Sequence, residues 1–234
     1  MIKKEFDCVI IGGGQAGTFA AKLLSEKSFS TLIIERRSNY TEKVCGGFIP
    51  YSAIQILSHN GIDRMQLLCA CGNQILVTDT NQMGMRELIR YPSGKYGIGV
   101  FRQEFDKYLA DLAVQSGAKI LFSHSILLEQ ILYRNEEKKF LIMLSDYMII
   151  SKNLIIATGA RGLLPCRMTE AQKCMLQKQT FGISEIVSCF SKLPRDRLLF
   201  HCPSSSNHDY FWMIPLKGDA WNLGYWMEQP NSTI

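Results

Sequence analysis

Long apolar runs are missing from this chain. None approaches the ~18 residues that a membrane-spanning helix requires, which excludes crossing by a helix and leaves peripheral membrane contact open. Clustered positive charge is missing too. The net charge of +5 comes from 26 basic and 21 acidic residues, and basic residues adjoin only as pairs: Lys3-Lys4, Arg36-Arg37 and Lys138-Lys139. Nucleic-acid binding needs a continuous cationic patch, so no nucleic-acid partner is expected. Metal-ligand spacing is absent as well. His59, His124, His201 and His208 are scattered, and Cys69-x-Cys71 has no second pair to close a tetrahedral site. Packing is the expected role of those two thiols, and no metal is expected. No secretory leader is expected ahead of the first strand, since residues 1–7 read as polar. The eight cysteines are therefore expected as free thiols in a reducing, cytoplasmic setting. Internal repeats, low-complexity stretches and linkers are lacking.

What is present begins with the hydrophobic content of 47% over 234 residues, enough for a real core in one or two domains. The opening reads Val9-Ile10-Ile11-Gly12-Gly13-Gly14-Gln15-Ala16-Gly17, then helix-like sequence through Ser25, then Thr31-Leu32-Ile33-Ile34-Glu35. Strand, glycine turn, helix and a second strand ending in an acid together describe a dinucleotide-binding βαβ opening. Gly12 permits a tight turn, Gly14 lets a pyrophosphate approach the backbone, and Gly17 lets the helix pack closely on the strand. The helix N-terminus then faces the phosphates with free N–H groups and a positive dipole end. Glu35 stands close to the spacing of ~20 residues expected for the ribose-binding acid. An ordinary βα turn is the plain alternative. The apolar run Cys8–Ile11, the amphipathic stretch Ala16–Leu24 and the placed Glu35 weigh against it.

Further along, apolar spacing predicts helices over Tyr51–His59 and Phe105–Ser116. Strands are predicted over 74–78, 85–91, 119–122, 125–133, 140–144, 148–151 and 154–157. Residues 166–195 read as helical stretches without strand alternation, followed by strands at 198–202, 210–215 and 221–226. The expected fold is α/β. A Rossmann-like dinucleotide-binding domain would take residues 1–65 and 99–165. A discontinuous, mainly β, substrate-side domain would take residues 66–98 and 166–234.

Two more motifs stand out. In Lys43-Val44-Cys45-Gly46-Gly47-Phe48, two glycines suit close backbone approach to a flat ring with a thiol beside it. A tight turn with a buried thiol is an equally good reading of that segment alone. In Tyr210-Phe211-Trp212-Met213-Ile214-Pro215, Tyr210, Trp212 and Ile214 share one face of a strand, as they would in any core strand. Together with the glycine turn, these motifs resemble the geranylgeranyl reductase family of FAD-dependent oxidoreductases, within the para-hydroxybenzoate hydroxylase-like flavoproteins. Cys45-Gly46-Gly47 is similar to that family's C-x-G-G-type segment. Tyr210, Trp212 and Pro215 match its Y-x-W-x-F-P motif, with Ile214 in place of phenylalanine. Arg102 sits where the superfamily carries an arginine before a helix, and Ala157-Thr158-Gly159-Ala160 resembles the segment closing the FAD domain. The likeness runs from Phe6 to about Trp226.

The resemblance implies a GR2-type FAD-binding domain and FAD as cofactor. Gly12, Gly14, Gly17 and the backbone near Ala16 would hold the pyrophosphate, with Arg102 near the phosphates. Glu35, with Arg36, would bind the adenosine ribose, and Ile126 would approach the adenine through its backbone. Cys45, Gly46, Gly47 and Gly159 complete the cofactor contacts that it implies. Tyr210 and Trp212 would line an apolar substrate cavity, and Cys45 would donate a proton or position the reaction. The implied activity is reduction of carbon–carbon double bonds in an apolar, isoprenoid-type small molecule. NAD(P)H visiting transiently, or an electron-donor protein, would supply the reductant. A flavin monooxygenase or halogenase is the rival, since Trp212-Met213-Ile214-Pro215 also resembles a halogenase W-x-I-P motif. A non-catalytic remnant, or a subunit completed by a partner, is the third reading. The family carries a further Gly-Asp segment after the aromatic motif. Here Gly218-Asp219 lies too close to that strand to serve. The expectation is a truncated or shortened family member that binds FAD weakly or not at all by itself.

Overall fold

A computed structural model describes residues 2–82, 84–159, 180–188, 192–203 and 209–228. In chain order its first elements are β1 (Ile2–Ile11), α1 (Gln15–Glu26), β2 (Thr31–Ile34), β3 (Phe48–Ile49), α2 (Tyr51–His59), α3 (Arg64–Cys71) and β4 (Gly72–Ile75). They continue with β5 (Val77–Gln82), β6 (Met85–Arg90), β7 (Gly97–Val100), α4 (Arg102–Gln115), β8 (Lys119–Leu121), β9 (Ile131–Arg134), β10 (Lys139–Met143) and β11 (Tyr147–Ile156). Then come β12 (Thr180–Val187), β13 (Arg197–Cys202), β14 (Tyr210–Pro215) and β15 (Trp221–Glu228). The chain divides into two compact units, Met1–Tyr40 with Asp106–Met168 and Thr41–Phe105 with Thr169–Ile234.

The first unit is built on a six-stranded sheet in the order β8-β2-β1-β11-β10-β9. Its first four strands are parallel, and β10 and β9 turn antiparallel. The apolar runs Cys8–Ile11 of β1 and Leu32–Ile34 of β2 suit the centre of a parallel sheet, where both faces are covered. Alternate residues go to opposite cores. Cys8, Ile10 and Ile33 pack with Ala21 of α1 and Ala113 of α4. Val9, Ile11, Leu32 and Ile34 pack with Ile126, Ile142 and Ile149. The strand expected over 125–133 starts only at Ile131, because Leu128–Gln130 form a 3-10 turn. The Gln130 side chain holds that turn, accepting from Leu127 N and donating to the Met143 carbonyl. The two strands expected over 148–157 are one, since Lys152 and Asn153 find partners on Asp7 of β1 rather than breaking the ladder.

The second unit carries a small antiparallel sheet, β3-β7-β4, and a six-stranded sheet, β12-β15-β14-β13-β5-β6. In the larger sheet β13 and β5 run parallel, and every other pair is antiparallel. The single strand expected over 74–78 is split at Leu76, where the chain leaves the small sheet for the large one. The Asp196 carbonyl accepts from both Leu76 N and Val77 N at that crossing. Helix α3 goes beyond the expected elements; Asp63 caps it by accepting from Met65 N and Gln66 N, a signal present in the sequence. Within it Cys71 is buried and Cys69 is exposed, so packing describes only the first. The helical reading of 166–195 is overturned at β12, which pairs with β15 along all its residues. A ladder to a strand far downstream supplies its hydrogen bonds, and local sequence does not reveal it. Residues 166–179 of that stretch lie outside the described residues. The units also part at other positions than the expected domains. Residues 41–65 and 99–105 fall in the second unit, because β3 pairs with β7 and the Gly47 carbonyl accepts from Val100 N.

Candidate functional site

In the first unit the chain turns sharply off β1. Gly12 has φ 109°, and a Cβ there would collide with the Ala157 carbonyl oxygen. A Cβ on Gly17 would collide with the Gly12 carbonyl oxygen. Only glycine allows both approaches, and together they seat the first turn of α1 against the loop. Gly14 is the N-cap of α1; it offers no side-chain cap, and the first turn holds no acid. Ala16 is exposed in that turn. A helix start left uncapped by its own side chains presents amide donors and a positive dipole end to an anion. These residues fit the diphosphate of a dinucleotide.

Glu35 follows β2 and is buried. Its carboxylate accepts from Gly13 N at 2.7 Å, Arg37 N at 3.0 Å and Arg37 Nε at 2.9 Å. Burial pushes its pKa up, but the hydrogen bonds from Arg37 and Gly13 outweigh this and hold it below the ordinary glutamate value. With the folded value under the unfolded one, this stabilisation is complete above the ordinary value and is lost as pH falls through the folded one. Glu35→Gln is therefore expected to flatten the acid limb of the stability–pH curve below pH 4.5, the ordinary value, as read by urea unfolding at stepped pH. Arg36 is exposed, and Arg37, which sequence reading passes over, makes the ion pair. The segment before Ile126 lies alongside: Ser123 N donates to the Arg37 carbonyl and His124 N to that of Glu35. The Ile126 side chain itself is in the core. Ala157 N donates to the Ile11 carbonyl at 2.8 Å, which brings Ala157 and Thr158 over Gly12. Gly159 follows, exposed, with φ 74°. Ala160 lies outside the described residues.

In the second unit the structure brings Cys45, Gly46 and Gly47 together with Tyr210 and Trp212. Gly47 has φ 74°, and a Cβ there would strike the Val100 carbonyl oxygen. Its N–H donates to Cys45 Sγ at 3.5 Å, and Cys45 is half-buried. A Cβ on Gly46 would stand 2.5 Å from Ile214 Cδ1 and 3.2 Å from the Trp212 indole. On the indole's benzene edge, a Cβ on Gly224 would collide with the ring. Trp212 thus has bare backbone on two sides and is 6% exposed. Its Nε1–H donates to Asn222 Oδ1 at 2.7 Å, and Asn222 Nδ2 donates to the Cys45 carbonyl at 2.9 Å. Tyr210 stacks on Trp226 with centroids 5.4 Å apart and lies 5.5 Å from the Phe200 ring. Burial pushes the Tyr210 hydroxyl above the ordinary tyrosine value, with Cys45 and Cys202 adding to the effect, so the phenol stays protonated at neutral pH. Arg102, half-buried, opens α4, whose next residue, Gln103, donates its N–H to Glu42 Oε1 at 3.0 Å.

Asn222, Gly224 and Trp226 escape the sequence reading, although a signal exists. The turn at Gly218 closes with Leu216 N donating to the Ala220 carbonyl. Counting outwards from it pairs Ile214 with Asn222, Trp212 with Gly224 and Tyr210 with Trp226. A glycine opposite a tryptophan on neighbouring strands marks a ring laid over bare backbone. Among the described residues, no helix is long and apolar enough to cross a membrane, and no group of three or more His, Cys, Asp and Glu could hold a metal ion.

The parallel sheet, the uncapped helix start and the buried acid after β2 define a class, the Rossmann-like α/β proteins that bind dinucleotides. Within that class the chain belongs to the FAD binding domain family, whose model matches residues 5–221. FAD is thus the cofactor of its family, as the motifs implied. Digeranylgeranylglycerophospholipid reductase of Methanosarcina mazei is 32% identical over 122 residues, covering 51% of this chain and 29% of that protein. A geranylgeranyl bacteriochlorophyll reductase-like structure from Thermoplasma acidophilum matches with a TM-score of 0.73 and 20% identity, over 96% of this chain and 57% of that one. The halogenase PltM matches with a TM-score of 0.69 and 16% identity, over 96% of this chain and 52% of that one. The two structural likenesses show a shared fold. The chain spans about half the length of the curated relatives that it matches over most of its sequence.

Proposed function

We propose that this chain serves an FAD-dependent oxidoreductase that reduces carbon–carbon double bonds of an apolar, isoprenoid-type substrate. The observation that carries this reading is the lock between the Cys45 loop and β14, which ties the backbone of the thiol-bearing residue to the strand of Tyr210 and Trp212 within one unit. FAD, when bound, supplies the hydride. Tyr210, Trp226 and Phe200 offer rings that orient an alkene and exclude water, while Trp212, expected to line the cavity, is buried behind them and supports them. The Cys45 thiol gives its proton to the alkene carbon that does not take the hydride. NAD(P)H visiting transiently, or an electron-carrier protein, restores the reducing equivalents. The setting is the cytoplasm, with peripheral contact where a lipid substrate resides.

The test is anaerobic incubation of the chain with FAD, a chemical reductant and a geranylgeranyl lipid. The product should gain one hydrogen pair per double bond by mass spectrometry. Absence of any such gain with FAD bound overturns the reading. Cys45→Ala is expected to lower kcat by about 10²-fold or more, the range of a general acid, without loss of bound FAD. The rival monooxygenase or halogenase reading is favoured by Trp212-x-Ile214-Pro215. Oxygen-dependent NAD(P)H consumption with a hydroxylated or halogenated product would decide for it. A chain that takes up no added FAD would favour a non-catalytic subunit.

A further inference from the structure

We infer that Asn222 is the positioning residue of the Cys45 loop, holding it in register with β14 through a carboxamide committed at both ends. Its importance for catalysis rests on the proposed role of Cys45; its mechanical role does not. Asn222 is 3% exposed. The indole N–H of Trp212 can only donate, so the atom facing it at 2.7 Å is the carboxamide oxygen. The Cys45 carbonyl can only accept, so the atom facing it at 2.9 Å is the carboxamide nitrogen. The two partners together fix the orientation of the amide and demand one acceptor and one donor on a side chain of this length. Aspartate supplies the acceptor but, when ionised, sets a second anionic oxygen against the Cys45 carbonyl. Leucine, of similar size, supplies neither. The side chain of Trp212 is itself held by Gly46 and Gly224, so the relay ties the loop backbone to a ring with little freedom to move. A displacement of Trp212 would carry the Cys45 backbone with it, and the thiol with that backbone.

The experiment is peptide-resolved modification of the full chain by a dithiodipyridine reagent. Cys69, exposed, and Cys202, half-buried, serve as internal references. Trp212→Phe, which removes one hydrogen bond of the relay, is expected to speed modification of Cys45 by about tenfold relative to Cys69, and Asn222→Leu, which removes both, by at least as much, with Cys202 unchanged. Their double variant should go little further than Asn222→Leu alone, because one relay is broken only once. Asn222→Asp supplies the readout that a packing role would not move. Its carboxyl, when protonated, both accepts and donates, so protection of Cys45 should be present at acid pH and lost as the pH rises through its titration, which burial raises. Trp212→Phe keeps an aromatic ring and removes the N–H together with part of the ring volume, and so tests the relay even where an Asn222 variant fails to fold. Unchanged Cys45 reactivity in Trp212→Phe, or an Asn222→Asp protein as protected as wild type at every pH, would overturn the inference. Exposure of Cys45 in these variants, combined with a Cys45→Ala protein that still reduces alkenes, would keep the positioning role and remove the thiol from the chemistry.

Discussion

Gly12→Ala is expected to weaken the binding of added FAD by this chain by about 100-fold or more. Gly12 sits at φ 109°, a backbone region where a side chain costs roughly 1–3 kcal/mol. That strain alone corresponds to about a 5- to 150-fold loss of affinity if it is relieved in the free protein and not in the complex. The collision adds to it. The new methyl group meets the carbonyl oxygen of Ala157, whose own N–H donates to Ile11 at the end of β1. Neither backbone segment can give way without opening the parallel ladder between β1 and β11. The loop must therefore move, and with it the amide donors at the start of α1. Quenching of flavin fluorescence on titration reads the loss. Gly94→Ala is the control, because Gly94 also has positive φ, at 76°, but has nothing within 4 Å of the added Cβ. It carries comparable strain without the collision and should leave FAD affinity unchanged. Wild-type affinity in Gly12→Ala would refute the assignment of this loop to the diphosphate.

Trp212→Ala is expected to lower stability by about 3–5 kcal/mol, the range for removing a large buried aromatic side chain. The ring is packed with Ile75, Leu198, Ile214 and Leu216, and it covers the bare backbone of Gly46 and Gly224. No neighbouring side chain branches from those glycines to fill the space. Truncation also strands the buried Oδ1 of Asn222, which then lacks its donor, a cost of roughly 1–3 kcal/mol within that total. Urea unfolding followed by far-UV circular dichroism measures the change. Trp212→Phe should lie between wild type and alanine, since it keeps most of the ring and loses only the donor and part of the volume. A loss under about 1 kcal/mol in Trp212→Ala would mean that the ring is a replaceable wall.

The opening of the chain was legible because everything it needs is local. Thr31–Ile34 and Tyr51–His59 form a strand and a helix with the boundaries that periodicity and the flanking residues predict. The glycine loop, α1 and Glu35 follow from one contiguous stretch of sequence, in which spacing along the chain already sets spacing in space. The aromatic strand was legible for the same reason, through its period of two.

What the sequence did not disclose depends on pairing between distant segments. Residues of β12 read as helical until β15 supplies their ladder, and 74–78 reads as one strand until Asp196 draws Leu76 and Val77 away. Arg37, not Arg36, reaches Glu35 because of how the backbone turns after β2. Asn222 lies 177 positions from Cys45, and no local pattern couples an amide to a carbonyl across that distance. By itself, then, the sequence determined the elements whose hydrogen bonds close within a few residues, and with them the class of cofactor. Tertiary structure alone decided which thiol loop meets which aromatic ring, because register between remote strands is set by the summed packing of both and is written in neither.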